Sequence, residues 1–361
     1  MGGGEITPPA APAPNAGIER IVVSADGRRF LTANSRRPFH PWGLNYGNAG
    51  RLMEDFWDTD WATFAADFKK MKALGANVAR VHLQFGKFMR GPNQPDPAAL
   101  RQFARLLRLA EKTGLYLDVT GLACYRSTDV PKWYDVMDEP ARWAAQAKFW
   151  SAIAQAGASH PVVFCYDLIN EPLSPGGPRK PGQWGSGSRL GGYDFLQFIA
   201  LDPTGRKRED IPVQWIRGLT AAIRQHDRAA LITVGLLPWS RDWEFLSGFL
   251  PEKVGPELDF LSVHIYPDSK KPDEALECLR HFAVGKPVVI EETFPLSCSG
   301  AELEQFLLAS RGFACGWIGH YDGRTPTEYD ALERAGKLTL AQGMYREWLR
   351  LFVRLKPVFC P

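Results

Sequence analysis

The stretch Pro161-Val-Val-Phe-Cys-Tyr-Asp-Leu-Ile-Asn-Glu-Pro172 decides how the rest of the chain is read. It starts as a β-branched and aromatic run, the composition of a buried strand. Pro172 ends it, because proline has no N–H to give to a ladder. An amide and a carboxylate, Asn170 and Glu171, therefore close a core strand. The pattern returns in Lys286-Pro-Val-Val-Ile-Glu-Glu292, a second apolar strand ending in acids. In parallel barrels the carboxyl ends of the strands are where chemistry is done.

Outward from these two strands, short apolar runs alternate with helical ones. Strands are expected at 41–46, 77–83, 115–120, 162–170, 231–236, 260–264, 288–292 and 314–318. The segments between them carry helical period. Leu100, Phe103, Leu106, Leu107 and Ala110 share a face, as do Trp143, Ala147 and Trp150, and Trp215, Leu219, Ala222 and Ile223. A last helix over about 340–355 closes the ring. Eight alternations favour an α/β fold of the (β/α)8 TIM barrel type over an open doubly wound sheet. No Gly-x-Gly-x-x-Gly follows the first strand, which counts against dinucleotide binding. At the N-terminus, Ala25-Asp26-Gly27-Arg28 between two short β-like runs predicts a hairpin at the barrel bottom. Residues 1–17, rich in Gly, Pro and Ala, are expected to be a disordered lead-in, leaving 18–361 as a single domain.

Composition narrows the function classes. Of 361 residues, 45% are hydrophobic and 23% charged, enough for a large core. A formal net charge of +3, evenly spread, gives no footprint for nucleic acid. No run is long enough for a membrane helix. The six cysteines include no C-x-x-C pair, so a zinc site is not expected. Free thiols are the favoured reading, with a Cys124–Cys298 pairing as the alternative. Two loops are long, 126–140 after the third strand and 173–209 after the fourth. Their aromatic residues suit a cleft wall. Trp184 in the second loop and Trp239 after the fifth strand are candidate sugar-binding surfaces.

Polar groups recur at strand ends. Arg80 and His82 are two apart on the second strand, and His264 and Tyr266 have the same spacing after the sixth. Trp317 lies in the eighth. A buried barrel end tolerates such groups only when they bond one another or a ligand. Of Glu291 and Glu292, period-two alternation sends only one inward, and the pattern leaves open which. Two strand-end carboxylates in a barrel are what glycosidic bond cleavage needs.

Arg80, Asn170-Glu171-Pro172, His264-Ile-Tyr266, Glu292 and Trp317 resemble, in order and strand placement, the pattern of glycoside hydrolase family 5, a family of retaining (β/α)8 glycosidases. The resemblance spans roughly 20–355. It implies that Glu171 is the acid/base and Glu292 the nucleophile. It implies that Asn170 bonds the sugar 2-hydroxyl and that Arg80 and Tyr266 orient the nucleophile. His264, with His82, would line and support the site, and Trp317 would floor the reactive subsite. Three features depart from the pattern. Thr120 stands where many members have a histidine, Thr293 follows the second glutamate, and Gly319-His320-Tyr321-Asp322 replaces a second aromatic. These surround the subsites and bear on substrate identity.

The function expected is retaining cleavage of a β-1,4-glucan or β-mannan, endo-acting, without metal or organic cofactor. The partner is an oligo- or polysaccharide, and the chain is expected to be a monomer, secreted or periplasmic although no signal is visible. An exo-acting or transglycosylating enzyme with the same carboxylates is the first alternative, and a non-catalytic carbohydrate-binding barrel the second. A metal-dependent barrel hydrolase is disfavoured because no His-x-His marks the first strand.

Overall fold

A computed structural model describes residues 17–238 and 247–361. Most of the expected lead-in, residues 1–16, lies outside the described residues. Eight parallel strands close into a barrel: β1 (Trp42–Gly47), β2 (Val78–Gln84), β3 (Tyr116–Ala123), β4 (Val163–Asn170), β5 (Leu231–Leu236), β6 (Leu261–His264), β7 (Val288–Thr293) and β8 (Gly316–Asp322). They neighbour one another in chain order, with β8 pairing back to β1. The main covering helices are α1 (Trp61–Ala73), α2 (Pro97–Thr113), α3 (Glu139–Gly157), α4 (Asp210–Arg224), α5 (Glu274–His281), α6 (Gly300–Ser310), α7 (Pro326–Arg334) and α8 (Leu340–Phe359).

The helices start and stop where local chemistry dictates. Asp96 caps α2 by accepting from the Ala98 N–H, with Pro97 in the first turn, and Gly114 ends it in the left-handed region. Ser299 and Glu302 form a capping box on α6, as Thr339 and Gln342 do on α8. Phe103, Leu106, Leu107 and Ala110 form the buried face of α2, as their spacing predicts.

The expected N-terminal hairpin pairs Ile21–Val23 with Phe30–Thr32, and Pro38–Phe39 adds a third strand. It sits at the amino-terminal end of the barrel. Ile21, Phe30 and Phe39 cluster there with Val78, Phe164, Leu231, Phe260, Val289 and Ile318, and Phe30 meets Phe164 and Phe260 edge-on. This apolar floor leaves the carboxyl-terminal end to the polar groups. All six cysteines are free, so the alternative Cys124–Cys298 pairing does not form.

Two strands run further than their composition predicts. β3 continues to Ala123 and β8 to Asp322. In both, a glycine sits where a tryptophan from a covering helix lies against the sheet. A Cβ at Gly319 would collide with Trp348 and one at Gly121 with Trp150. Glycine there reads as a strand end in the sequence but is a packing requirement in the fold.

Candidate active site

Register sets the first row of the site. Asn45 on β1 pairs with Arg80 on β2, and Arg80 with Asp118 on β3. On the far side, Asn170 on β4 pairs with Gly235 on β5, and His264 on β6 with Glu292 on β7. Arg80 is fully buried at the centre. Its guanidinium donates to Asn45 Oδ1 at 2.9 Å, Asp167 Oδ2 at 2.8 Å, Asn170 Oδ1 at 3.1 Å and Glu292 Oε1 at 2.5 Å. A rigid fork of N–H donors suits that many acceptors.

Glu291 and Glu292 both face the interior, which corrects the expectation that alternation admits only one. The β7–β8 register shifts between Ile290 and Thr293. This bulge re-aims adjacent side chains to the same face. Glu292 takes the upper position, where it accepts from Tyr266 at 2.6 Å. Glu291 lies beneath, 3.5 Å from Arg80 and 3.3 Å from His264 Nε2. Glu291 thus serves as an ion-pair partner of both cations.

His264 ties the two levels together. Its Nδ1 is 2.9 Å from Glu171 Oε1 and 3.6 Å from Glu292 Oε2. Burial works against a charge on this ring. Attraction to Glu292 and hydrogen bonds to Glu171 and Glu291 win, and push it up to about 10. Burial would likewise raise Glu292, but the positive His264 and Arg80 hold its carboxyl well below the usual range. Burial and the adjacent Glu292 keep Tyr266 a phenol, fit to donate. Nearest oxygens of Glu171 and Glu292 and a nitrogen of His264 all lie within 4.8 Å of one another.

Glu171 itself sits at φ +45°, a left-handed conformation costing a non-glycine residue about 1–3 kcal/mol. Pro172 follows, and the Glu171 N–H is tied to the Gly235 carbonyl at 2.8 Å. The strand end is thus bent so that Asn170 meets Arg80 while Glu171 turns toward His264.

A second carboxylate layer lies below. Asp118, Asp167 and Glu291 are fully buried, with oxygens within 4.8 Å of one another. Asp167 accepts from Thr120, Arg80 and the Gly235 N–H. Burial, then Glu291, raises Asp167 to about 7 and Asp118 well above the carboxylate range. Burial would raise Glu291 as well, but Arg80 and His264 together outweigh it and hold its carboxyl below the usual range. Both groupings offer metal-ligand atoms, but Arg80 and His264 already supply the positive charge at each.

His82 enters the site from β2, with Nε2 3.2 Å from Asn45 Oδ1 and Nδ1 2.5 Å from the Tyr125 hydroxyl. Burial and then the Arg80 charge hold it neutral. The structure therefore brings together Arg80, His82, Asn170, Glu171, His264, Tyr266 and Glu292. Two expected members stand elsewhere, and Trp239 lies outside the described residues. Trp317 faces the helices, where its indole donates to Ser310 Oγ at 2.8 Å and its ring meets Phe359 edge-on. Strand parity explains this. Trp317, Gly319 and Tyr321 face outward on β8, whereas Ile318 and His320 face the axis. His320 takes the β8 position at the site, 2.9 Å from the Tyr266 hydroxyl and 3.9 Å from Glu292. Trp184 is buried under its own loop, donating to the Asp135 carbonyl at 3.0 Å beneath the Arg142 guanidinium.

Sequence reasoning missed Asn45, Tyr125, Asp167 and His320. A polar residue inside an apolar strand was the available signal for Asn45 and Asp167. For His320, extending β8 by parity past Gly319 would have sufficed.

A family model described as Cellulase (glycosyl hydrolase family 5) matches residues 42–293. No curated protein matches the sequence. Among solved structures, an exo-β-1,4-mannosidase from Opitutaceae bacterium strain TAV5 superposes with a TM-score of 0.69 at 20% identity, covering 94% of this chain. This chain spans only 63% of that protein's length. The β-mannanase of the blue mussel Mytilus edulis gives 0.63 at 18% identity, covering 94% of this chain and 96% of that one. The endoglucanase Cel5A catalytic domain of Thermobifida fusca gives 0.58 at 15% identity, covering 92% and 98%. At these identities the likeness is one of fold.

Proposed function

Because the chain belongs to glycosyl hydrolase family 5 and is a glycosyl hydrolase acting on carbohydrate, we propose that it cleaves β-linked glucan- or mannan-type glycans by double displacement, with Glu292 as nucleophile and Glu171 as acid/base. The observation that carries this reading is the pair of carboxylates whose nearest oxygens lie within 4.8 Å. Retaining enzymes hold theirs about 5–5.5 Å apart, too close to admit a water between nucleophile and sugar.

In the first step a Glu292 oxygen bonds the anomeric carbon and the glycosidic C–O bond breaks. The departing oxygen takes a proton from Glu171. His264 Nδ1, 2.9 Å from Glu171 Oε1, holds that carboxyl in place. In the second step Glu171 accepts a proton from water, the hydroxide oxygen bonds the anomeric carbon, and Glu292 leaves. Arg80 and Tyr266 keep Glu292 ionised and aimed. Asn170 has one N–H on the Phe195 carbonyl at 3.3 Å, and its second suits a sugar 2-hydroxyl. A transglycosylase would use the same first step with a sugar hydroxyl replacing water in the second. Polymeric substrates lie outside the cell, so a secreted or periplasmic location goes with this reading.

The test is product release from soluble β-glucans, β-mannans and aryl β-glycosides, with Glu171→Gln and Glu292→Gln alongside. Sugar release lost in both variants supports the assignment. Silence of the wild type across the panel with sugars still bound would favour a binding barrel.

A further inference from the structure

One side of the site is roofed by three loops bonded to one another. The loop after β4 carries a small hairpin pairing Arg189–Leu190 with Tyr193–Asp194. Gly191 and Gly192 turn it with positive φ at both positions, the type I′ geometry of a two-residue hairpin. From its tip the Tyr193 hydroxyl donates to the Gly50 carbonyl, in the loop after β1, at 2.7 Å. The Asp194 N–H donates to the Tyr125 carbonyl, in the loop after β3, at 2.9 Å. Arg126 pairs with Asp55 at 2.6 Å, joining the loops after β3 and β1 independently. A connection from β4 to the β1 loop has to pass over the ends of β2 and β3, because the four strands are neighbours in that order.

Beneath this bridge the wall is continuous. His82 meets the Tyr125 hydroxyl, Phe195 packs edge-on against Tyr125 with centroids 4.8 Å apart, and Tyr193 lies 5.9 Å from Phe195. Glu171 turns the other way, toward His264 on β6. The acid/base has to stand beside the leaving oxygen. The aglycone therefore extends on the β4–β6 side, and the walled β1–β3 side receives the ring attacked by Glu292.

We propose that the bridge through Tyr193 and Gly50 closes the glycone side and makes the enzyme exo-acting, removing short glycones from the non-reducing end of a β-linked chain. This rests on the hydrolase reading above and selects the terminal-attack alternative over the internal attack expected from sequence. A chain that continued beyond a short glycone would have to pass through the Tyr193–Gly50 contact.

The experiment is a time course on gluco- and manno-oligosaccharides labelled with a fluorophore at the reducing end, for wild type and Tyr193→Ala. Early wild-type products should be labelled chains shortened by one constant small unit, with polymer viscosity nearly unchanged. Tyr193→Ala, which removes both the ring and its hydrogen bond, should raise the share of internal cuts severalfold. Labelled fragments of every length at the earliest times, with a rapid viscosity drop in the wild type, would overturn the proposal while leaving hydrolysis intact. An unchanged product pattern in Tyr193→Ala and in a variant with residues 187–192 removed would also overturn it. No cleavage of any oligosaccharide would overturn the underlying hydrolase reading, and this proposal with it.

Discussion

Glu291 and Glu292 are consecutive on β7 yet both point into the barrel, one above the other, each contacting Arg80. The lower residue is an ion-pair partner and the upper one faces Glu171 within 4.8 Å. Glu292→Gln should therefore abolish turnover on every substrate. Glu291→Gln should retain measurable activity with a lower melting temperature, because it disturbs Arg80 and His264 without removing the proposed nucleophile. Steady-state kinetics on an aryl glycoside separates the two.

Glu171→Ala should lose about 10²–10⁴-fold on natural glycans, the usual worth of a positioned general acid. It should lose much less in glycosyl-enzyme formation on substrates with good leaving groups, which need no proton. Burst kinetics on a dinitrophenyl glycoside measures this, and equal loss on both substrate types would count against the role.

Tyr266→Phe removes one hydrogen bond to an ionised carboxylate. Bonds of that kind are worth about 1.5–3 kcal/mol, so kcat/KM should fall about 10–100-fold with the fold unchanged. Circular dichroism and kcat/KM together check this.

Gly235 admits no side chain. A Cβ there would stand 2.8 Å from Glu291 Oε2 and from His264 Nε2, and 3.0 Å from Arg80. Gly235→Ala should thus cut activity severely although the residue has no side chain and meets the site only through its backbone N–H and carbonyl. A near-normal rate constant in this variant would mean the buried layer does not hold the upper carboxylates in place.

Stability should fall as pH rises. Asp167 and Glu54 are raised to about 7, both by burial first, and His264 to about 10. A raised group contributes stability that is present below its unfolded value and lost as pH climbs through the folded one. The loss therefore spreads from about pH 4 to 7 for the two acids and from about 6.5 to 10 for the histidine. Glu292, held low, acts oppositely and costs stability only in acid, below its unfolded value. Melting temperatures should peak in mildly acidic buffer, and a peak above pH 8 would contradict the assignment.

The barrel was legible because buried parallel strands are compositionally loud: Val163–Asn170 and Val288–Thr293 announce themselves, and strand ends place Arg80, Asn170, Glu171, His264 and Glu292. Side-chain direction was harder. The β7 bulge has no sequence mark, so the inward turn of both glutamates was hidden. Trp317 was misplaced because glycine at 319 hid the continuation of β8 that brings His320 to the site. Trp184 shows that an aromatic ring in a glycine-rich loop can be the loop's own anchor. Tyr193 and Phe195, three and one residues before Leu196 in the same loop, are the ones that reach the site wall.

The covalent role proposed for Glu292 can be trapped. The enzyme is incubated with 2-deoxy-2-fluoro β-glycosides of glucose and mannose bearing a good leaving group, and the bound sugar is located by peptide mass spectrometry. A single ester on Glu292 is expected, with retained configuration in the product first seen by NMR with the normal substrate. An ester on Glu291, or an inverted first product with no adduct, would contradict it.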